Sequence, residues 1–443
     1  MYLKRHIDKA LLDWKESPSR KPLLIRGARQ VGKSSAVRNL SKHFEHFVEI
    51  NFDEKPEYQR LFESASDIDD LIEQLSILTG TKIIEGKTLV FLDEIQASLA
   101  AISKLRYFYE KKPNLHVIAA GSLLEFALSA LPSFGVGRVR SMFMYPFSFN
   151  EFLGALNEDS LVNAMTASNS AIPLNPLIHE KIKTYFKKFL IIGGMPQAVQ
   201  TYVVQGDLLE VQRILDDLII ALQADFVKYK KQVEPSAIKS VFDSVVMQVG
   251  ARFKYSNDFL SLTNPMVKQV VDLLEMAGLI YKVTHSSCNG LPIGAEANPK
   301  KVKLLIFDTG IYQRILGLDI ASLLLIDDVE IVNKGNIAEL FVGLEMIKSG
   351  DSYQRSGLHY WHRESKSSQA EVDYVVQNQT SIVPVEVKAG TKGAIQSMYL
   401  FMDEKKSKWG VRTSLENFGK FDQVKVIPLY AISVLNTKPL EVL

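Results

Sequence analysis

The residues best suited to chemistry lie near the start of the chain. Gly27-Ala28-Arg29-Gln30-Val31-Gly32-Lys33-Ser34-Ser35 follows the short apolar run Leu23-Leu24-Ile25-Arg26 and opens a segment of helical pattern. Two glycines at this spacing let the backbone turn its amide N–H groups toward one centre, and the positive end of the following helix points there too. Such a cradle suits the phosphates of a nucleotide. Lys33 adds a point charge for the β- and γ-phosphates, and the Ser34 hydroxyl can ligate Mg²⁺. Downstream, the unbroken apolar run Leu89-Val90-Phe91-Leu92 delivers Asp93 and Glu94 to the carboxyl end of a buried strand, the edge at which open α/β sheets bind ligands. Asp93 would hold Mg²⁺ directly or through water. Glu94 would orient an attacking water and accept its proton. Together the two motifs predict binding of ATP with Mg²⁺, and its hydrolysis.

Two further positions belong to the same reading. Ala119-Ala120-Gly121-Ser122 ends the next apolar run, so the Ser122 hydroxyl either senses the γ-phosphate or caps the strand. Gly137-Arg138-Val139-Arg140 offers guanidinium groups to stabilise charge on the leaving phosphates, from the same chain or a neighbouring subunit. Arg138 is the preferred one.

A second constellation sits near the other end. Glu371-Val372-Asp373-Tyr374 and Val383-Pro384-Val385-Glu386-Val387-Lys388 flank a turn at 378–381. Period-two alternation puts Glu386 and Lys388 on one face of their strand, and pairing as a hairpin brings Asp373 alongside. Two carboxylates so placed would hold a divalent cation that polarises a phosphodiester, with the lysine stabilising the developing charge. Glu339 lies in the otherwise apolar Ile337-Ala338-Glu339-Leu340-Phe341-Val342, where a buried carboxylate is costly unless paired or metal-bound, so it is a natural fourth member. The same residues would equally make a structural ion-pair cluster without activity.

Positioning these groups requires particular elements. Short apolar runs at 23–26, 47–52, 88–92, 116–120 and 142–145, separated by helical stretches, predict a doubly wound parallel sheet over residues 1–155. A helical region follows over 156–232, interrupted by Gly193-Gly194-Met195-Pro196. Residues 233–325 resemble a winged helix: Pro265 starts a helix with Val267, Val270, Val271 and Leu274 on one face, and two strands follow around a Gly- and Pro-containing wing. Lys268, Gln269, Asp272 and Glu275 on its other face mix one cation with two anions, a poor surface for phosphates. The wing module therefore reads as a packing or interaction module rather than as a sequence reader. Residues 326–443 predict a third, α/β unit, with a helix at 336–348 and strands at 359–362, 371–376 and 382–387.

Whole-chain properties bound the rest. At 443 residues two or three domains are expected. A net charge of +2 argues against wholesale coating of nucleic acid while permitting local basic runs, such as those at 228–231 and 405–408. The single cysteine, Cys288, excludes an intramolecular disulfide and a thiolate-rich zinc site, so a reducing compartment is expected. Nothing resembles a signal peptide or a membrane span, which makes a cytoplasmic location the expectation. DNA, RNA, another protein or further copies of the chain all stand open as partners, and no membrane is expected.

The ordered set Gly27–Ser34, Leu89–Glu94, Gly121-Ser122 and Gly137-Arg138, followed by Tyr145-Pro146-Phe147-Ser148-Phe149-Asn150-Glu151-Phe152 and Gly193-Gly194-Met195-Pro196, resembles that of the prokaryotic AAA+-type ATPases carrying a C-terminal domain of unknown function, DUF4143. The resemblance covers nearly the whole chain. It implies an ATPase core, a helical and winged-helix middle, and a C-terminal unit related to restriction-endonuclease folds of the PD-(D/E)xK type. In that comparison Val372 stands where a proline would precede Asp373.

Overall fold

The computed structural model describes residues 1–122, 124–129, 137–229, 233–256, 262–319, 334–355, 357–363, 370–390 and 393–443. They form two compact units, one of Met1–Tyr145 with Met276–Gly278 and Asp351–Arg355, the other of Pro146–Glu275, Leu279–Gly350 and Ser356–Leu443.

The first unit is built on an all-parallel five-stranded sheet. Its strands are β1 (Leu23–Arg26), β2 (His46–Asn51), β3 (Thr88–Asp93), β4 (His116–Ala120) and β5 (Arg140–Phe143), in the order β2-β3-β4-β1-β5. Every residue of β3 and β4 is buried, as unbroken apolar runs require when helices cover both faces. The covering helices are α1 (His6–Glu16), α2 (Lys33–Ser41), α3 (Glu57–Ser64), α4 (Ile68–Thr79), α5 (Leu99–Lys111) and α6 (Leu124–Ser129). One core joins Val48, Ile50, Val90, Leu92 and Val117 of the sheet to Phe62, Leu71, Leu75, Ile102, Leu105 and Phe108 of the helices. The polar stretch after residue 56 is two helices, because Asp67 leaves helical geometry and its carboxylate accepts the Asp70 amide at 3.0 Å, starting α4 afresh. The last strand begins at Arg140, earlier than its apolar run suggests, since pairing with β1 sets its extent.

Parallel strands place all their carboxyl ends at one edge. β4 lies between β1 and β3, so the loop after Arg26, the Asp93-Glu94 pair and Ser122 leave the sheet side by side.

The second unit opens with the expected helices: α7 (Phe149–Ala155), α8 (Asp159–Ala167), α9 (Pro176–Ile192), α10 (Pro196–Gln205), α11 (Leu208–Asp225) and α12 (Pro235–Met247). The Gly193-Gly194 turn between α9 and α10 is clasped by a buried carboxylate: Asp308 accepts from the Gly194 amide at 2.6 Å and the Ile311 amide at 3.0 Å. A Cβ on Gly193 would lie 2.2 Å from Asp308 Oδ1, and one on Gly194 would lie 2.3 Å from the Phe147 carbonyl. The Phe147-Ser148-Phe149 segment is held likewise. Lys348 Nζ donates to the Phe147 carbonyl at 2.9 Å, and the Glu345 carboxylate accepts from the Phe149 amide at 3.1 Å.

In α13 (Asn264–Met276) Val267, Val270, Val271 and Leu274 are all buried, as their spacing requires. The strands that follow, β6 (Ile280–Ser286) and β7 (Ala297–Ile306), pair as an antiparallel hairpin, but β6 also runs parallel to β8 (Leu358–His362). The hairpin read from sequence as a wing is therefore one end of a larger sheet. After α14 (Thr309–Ile315) and α15 (Lys334–Lys348) come β9 (Glu371–Asn378), β10 (Ser381–Val387), α16 (Gln396–Lys405), β11 (Gly410–Ser414), β12 (Gly419–Phe421) and β13 (Val424–Pro428). The eight strands run β12-β13-β11-β10-β9-β8-β6-β7. The expected boundaries at 232 and 325/326, and Lys230 and Lys231 of one basic run, lie outside the described residues. No helix among the described residues is long and apolar enough to cross a membrane.

Candidate functional site

The loop from Gly27 to Ser35 has the backbone that the glycine spacing predicts. Gly27 sits at φ 149°, and a Cβ there would lie 2.1 Å from the Met144 carbonyl oxygen. Gln30 and Gly32 are also left-handed, at φ 64° and 99°. A residue absent from the sequence reading secures the loop: Arg5, buried at the start of α1, donates from Nη1 to the Val31 carbonyl at 3.0 Å and from Nη2 to the Tyr145 carbonyl at 2.6 Å. Nothing local in Met1–Arg5 signals this, because the partners lie far away in sequence.

No side chain caps the amino end of α2, so the first N–H groups of that helix keep their capacity for an anion. Lys33 is buried, with Nζ 2.9 Å from the Gly27 carbonyl and 2.8 Å from that of Ala28. Burial brings its pKa down to about 8, against the opposing pull of Glu94 and Asp93. Phosphates beside the ammonium would favour its charged form. Below pH 8 the free protein already carries that charge, and above it each ATP bound must take up a proton. ATP affinity is therefore expected to fall above pH 8 by up to about tenfold per pH unit, checked by titration calorimetry in buffers of different ionisation enthalpy.

At the end of β3 Asp93 is buried, and its Oδ2 accepts from Ser34 Oγ at 2.7 Å. Burial raises the Asp93 pKa, and the Ser34 hydrogen bond opposes this. A serine hydroxyl touching a carboxylate, beside an uncapped helix start and a buried lysine, supplies the hard oxygen donors and positive charge that Mg²⁺ and a triphosphate require. Glu94 turns out of the strand at φ 49°. Its Oε2 accepts from Gln96 Nε2 at 2.5 Å, while Gln96 Oε1 is buried without a hydrogen-bond partner among the described residues. A Cβ on Gly121 would lie 2.1 Å from that oxygen, so the glycine before Ser122 makes room for Gln96. Gln96 thus fixes Glu94, another role that spacing alone did not reveal. Gln96→Ala is expected to lower kcat for ATP by up to roughly 100-fold through misplacement of Glu94, with ATP binding unchanged, as steady-state phosphate release and a binding titration would show.

Arg138 departs from expectation. Register pairs Leu23 with Arg140 and Arg26 with Phe143, so Arg138 precedes the amino end of β5 while the nucleotide loop follows the carboxyl end of β1. At about 3.3 Å per residue the two levels are separated by more than roughly 13 Å. The guanidinium ion-pairs with Glu110 near the end of α5. Arg138 therefore stands at the end of the sheet opposite the nucleotide loop of its own chain. Arg140, at the same end, lies 5.4 Å from the centre of the Tyr353 ring. The arginine at the correct edge is Arg26, whose Nη1 is 2.8 Å from Glu125 of α6.

In the second unit the hairpin of β9 and β10 brings the other constellation together. Register sets Tyr374 opposite Val385, and Asp373 Oδ2 accepts from the Val387 amide at 2.8 Å. Lys388 Nζ lies 2.8 Å from Glu386 Oε1 on the same face. Glu339 of α15 joins them, but through a residue that the sequence did not single out: Lys303 of β7, buried, with Nζ 2.8 Å from Glu339 Oε1. Burial pushes the Glu339 pKa up and Lys303 pulls it down, and burial likewise raises Asp373 and Glu386. Asp272 and Glu275 of α13 are also paired, with Lys282 of β6 at 2.6 and 2.7 Å.

Residues 19–153 match the family model of an AAA domain, residues 183–322 a domain of unknown function, DUF8612, and residues 334–432 another, DUF4143. An uncharacterized protein of Haemophilus influenzae is 25% identical over 382 residues, covering 82% of this chain and 81% of that protein. A Walker-type ATPase of Pyrococcus abyssi is 15% identical, with 71% of this chain and 96% of that one covered at a TM-score of 0.44. The ORC1 protein of Aeropyrum pernix, solved with DNA, is 14% identical over 73% of this chain and 95% of its own, at a TM-score of 0.30. The chain carries an AAA-type, P-loop ATPase domain at its amino end and a DUF4143 domain toward its carboxyl end.

Proposed function

We propose that the first unit hydrolyses ATP in a Mg²⁺-dependent reaction and relays its nucleotide state to the rest of the chain. The contact between Ser34 Oγ and Asp93 Oδ2, with Glu94 held beside it by Gln96, carries this reading. Ser34 and Asp93 would hold Mg²⁺, which would supply charge neutralisation for the bound phosphates. The loop amides and Lys33 hold the phosphates, Glu94 orients the attacking water and takes its proton, and Ser122 lies at the same edge to sense the γ-phosphate.

The relay rests on Gly278. It follows α13 at φ 73°, so close to the nucleotide loop that a Cβ on it would lie 3.1 Å from the Ala28 amide nitrogen. A loop that moves with its phosphates must move against this turn. Arg138, at the opposite end of the sheet from its own nucleotide loop, is better placed to act on the site of a neighbouring copy. The client is a nucleic acid or a protein. The net charge of +2 and the Lys282-paired anions of α13 weigh against broad binding of phosphate backbones.

The test is phosphate release from ATP by the full chain, with Mg²⁺ or with EDTA, alone and with single- and double-stranded DNA and RNA, scoring strand cleavage in the same samples. Mg²⁺-dependent release is expected in every Mg²⁺ arm, and no release above background in any of them would reject the proposal.

A further inference from the structure

The charged centre of the second unit contains a cation of its own. Lys303 Nζ lies 2.8 Å from Glu339 Oε1, 2.8 Å from Glu371 Oε1 and 3.8 Å from Asp373 Oδ1, and 5.4 Å from the centre of the Tyr360 ring. Only 1% of the Lys303 side chain is exposed, so water cannot substitute for these partners. Burial alone would strip the proton from such a lysine, but the three carboxylates more than compensate and push its pKa up. The ammonium is therefore a permanent charge.

A nuclease-type centre on this sheet would use Asp373, Glu386 and Glu339 to hold a divalent cation, with Lys388 beside it. The residues present do not fit one. A hard divalent ion needs about six oxygen ligands at roughly 2.0–2.6 Å, and Lys303 Nζ already stands between Glu339 and Asp373, 2.8 Å and 3.8 Å from their oxygens. The other oxygen of Asp373 is already bonded to the Val387 amide, and Glu386 Oε1 is paired with Lys388. Among the described residues, no three His, Cys, Asp or Glu side chains are grouped to hold a metal. Glu386 Oε2 is buried and has no hydrogen-bond partner among the described residues, which leaves one free oxygen where a hard ion would need several.

We propose that the Lys303 ammonium takes the place of the divalent cation in a nuclease-type centre, so that the DUF4143 unit is an ion-paired scaffold that takes no catalytic metal. A lysine from β7 joins α15 to β9 at the point where a metal would have joined them.

The test uses Mn²⁺ as probe on the nucleotide-free full chain, with bound ion counted by electron paramagnetic resonance. Wild type and Asp373→Asn should bind Mn²⁺ identically, because any ion held near Ser34 and Asp93 is common to both. Lys303→Met, which removes the charge and keeps most of the volume, should gain one Mn²⁺ per chain, and that gain should vanish in Lys303→Met/Asp373→Asn. A Mn²⁺ bound by wild type and lost in Asp373→Asn would overturn the proposal, as would a folded Lys303→Met that gains none. The wild-type comparison stands even where Lys303→Met does not fold.

Discussion

Glu94→Gln is expected to leave ATP binding near its wild-type level while lowering kcat by about 10²–10⁴-fold, the usual contribution of a positioned general base. The substitution keeps the shape of the side chain, and an amide oxygen still accepts from Gln96 Nε2, so the turn at φ 49° has no reason to change. What disappears is the basic oxygen that takes the proton from water. Lys33→Ala should behave differently. It deletes the buried ammonium that phosphates would attract away from the Gly27 and Ala28 carbonyls. Losing one charge-assisted hydrogen bond, about 1.5–3 kcal/mol, should weaken ATP binding roughly 10- to 150-fold and remove hydrolysis with it. Equilibrium titration with a fluorescent ATP analogue and phosphate release measured side by side separate the two variants. Unchanged turnover in Glu94→Gln would take that residue out of the chemistry, whatever Lys33→Ala does.

Asp308→Ala is expected to be the most damaging single change to the second unit. The carboxylate is fully buried and accepts from the amides of Gly194 and Ile311. Each buried N–H left without a partner costs about 1–3 kcal/mol, so the pair accounts for about 2–6 kcal/mol. No rearrangement can bring another acceptor in, because the turn is closed by Phe147 pairing with Gly194 at 2.7 Å. Asp308→Asn, which keeps one acceptor oxygen, should recover a good part of the loss. Urea unfolding of the full chain followed by tryptophan fluorescence measures both, and a shift of less than about 1 kcal/mol for the alanine variant would show that the clasp is dispensable.

This clasp also gives physical meaning to two motifs whose purpose was hidden in the sequence. Gly193-Gly194 and Phe147-Ser148-Phe149 mark the resemblance to AAA+-type ATPases, and both lie in the second unit. At Gly193 and Gly194 a side chain would collide with Asp308 and the Phe147 carbonyl, while Lys348 and Glu345 hold the Phe147 and Phe149 backbone.

Much of the first unit was legible because its signals are local. A strand buried on both faces must be apolar along its length, and a phosphate-binding turn must place glycine where φ is positive, so Leu89–Asp93 and Gly27–Ser34 declare themselves without knowledge of their neighbours. The burial of Val267, Val270, Val271 and Leu274 follows from helical period in the same way. The sequence also brought Asp373, Glu386 and Lys388 into one hairpin, since period two and a short turn leave little freedom.

What the tertiary structure decided are the partners brought together across long stretches of chain. Arg5 reaches Val31 and Tyr145, Gln96 fills the space left by Gly121, and β6 joins β8, which turns an apparent wing into the end of an eight-stranded sheet. Strand register, invisible in residue spacing, sends Arg138 to the wrong end of the first sheet for its own nucleotide site. Lys303 illustrates the reason most clearly. In sequence it is one of several lysines in a β-strand, with Lys300 and Lys301 exposed or half-exposed close by. Electrostatics depends on distance through space, and only the folded chain sets that ammonium among Glu339, Glu371 and Asp373.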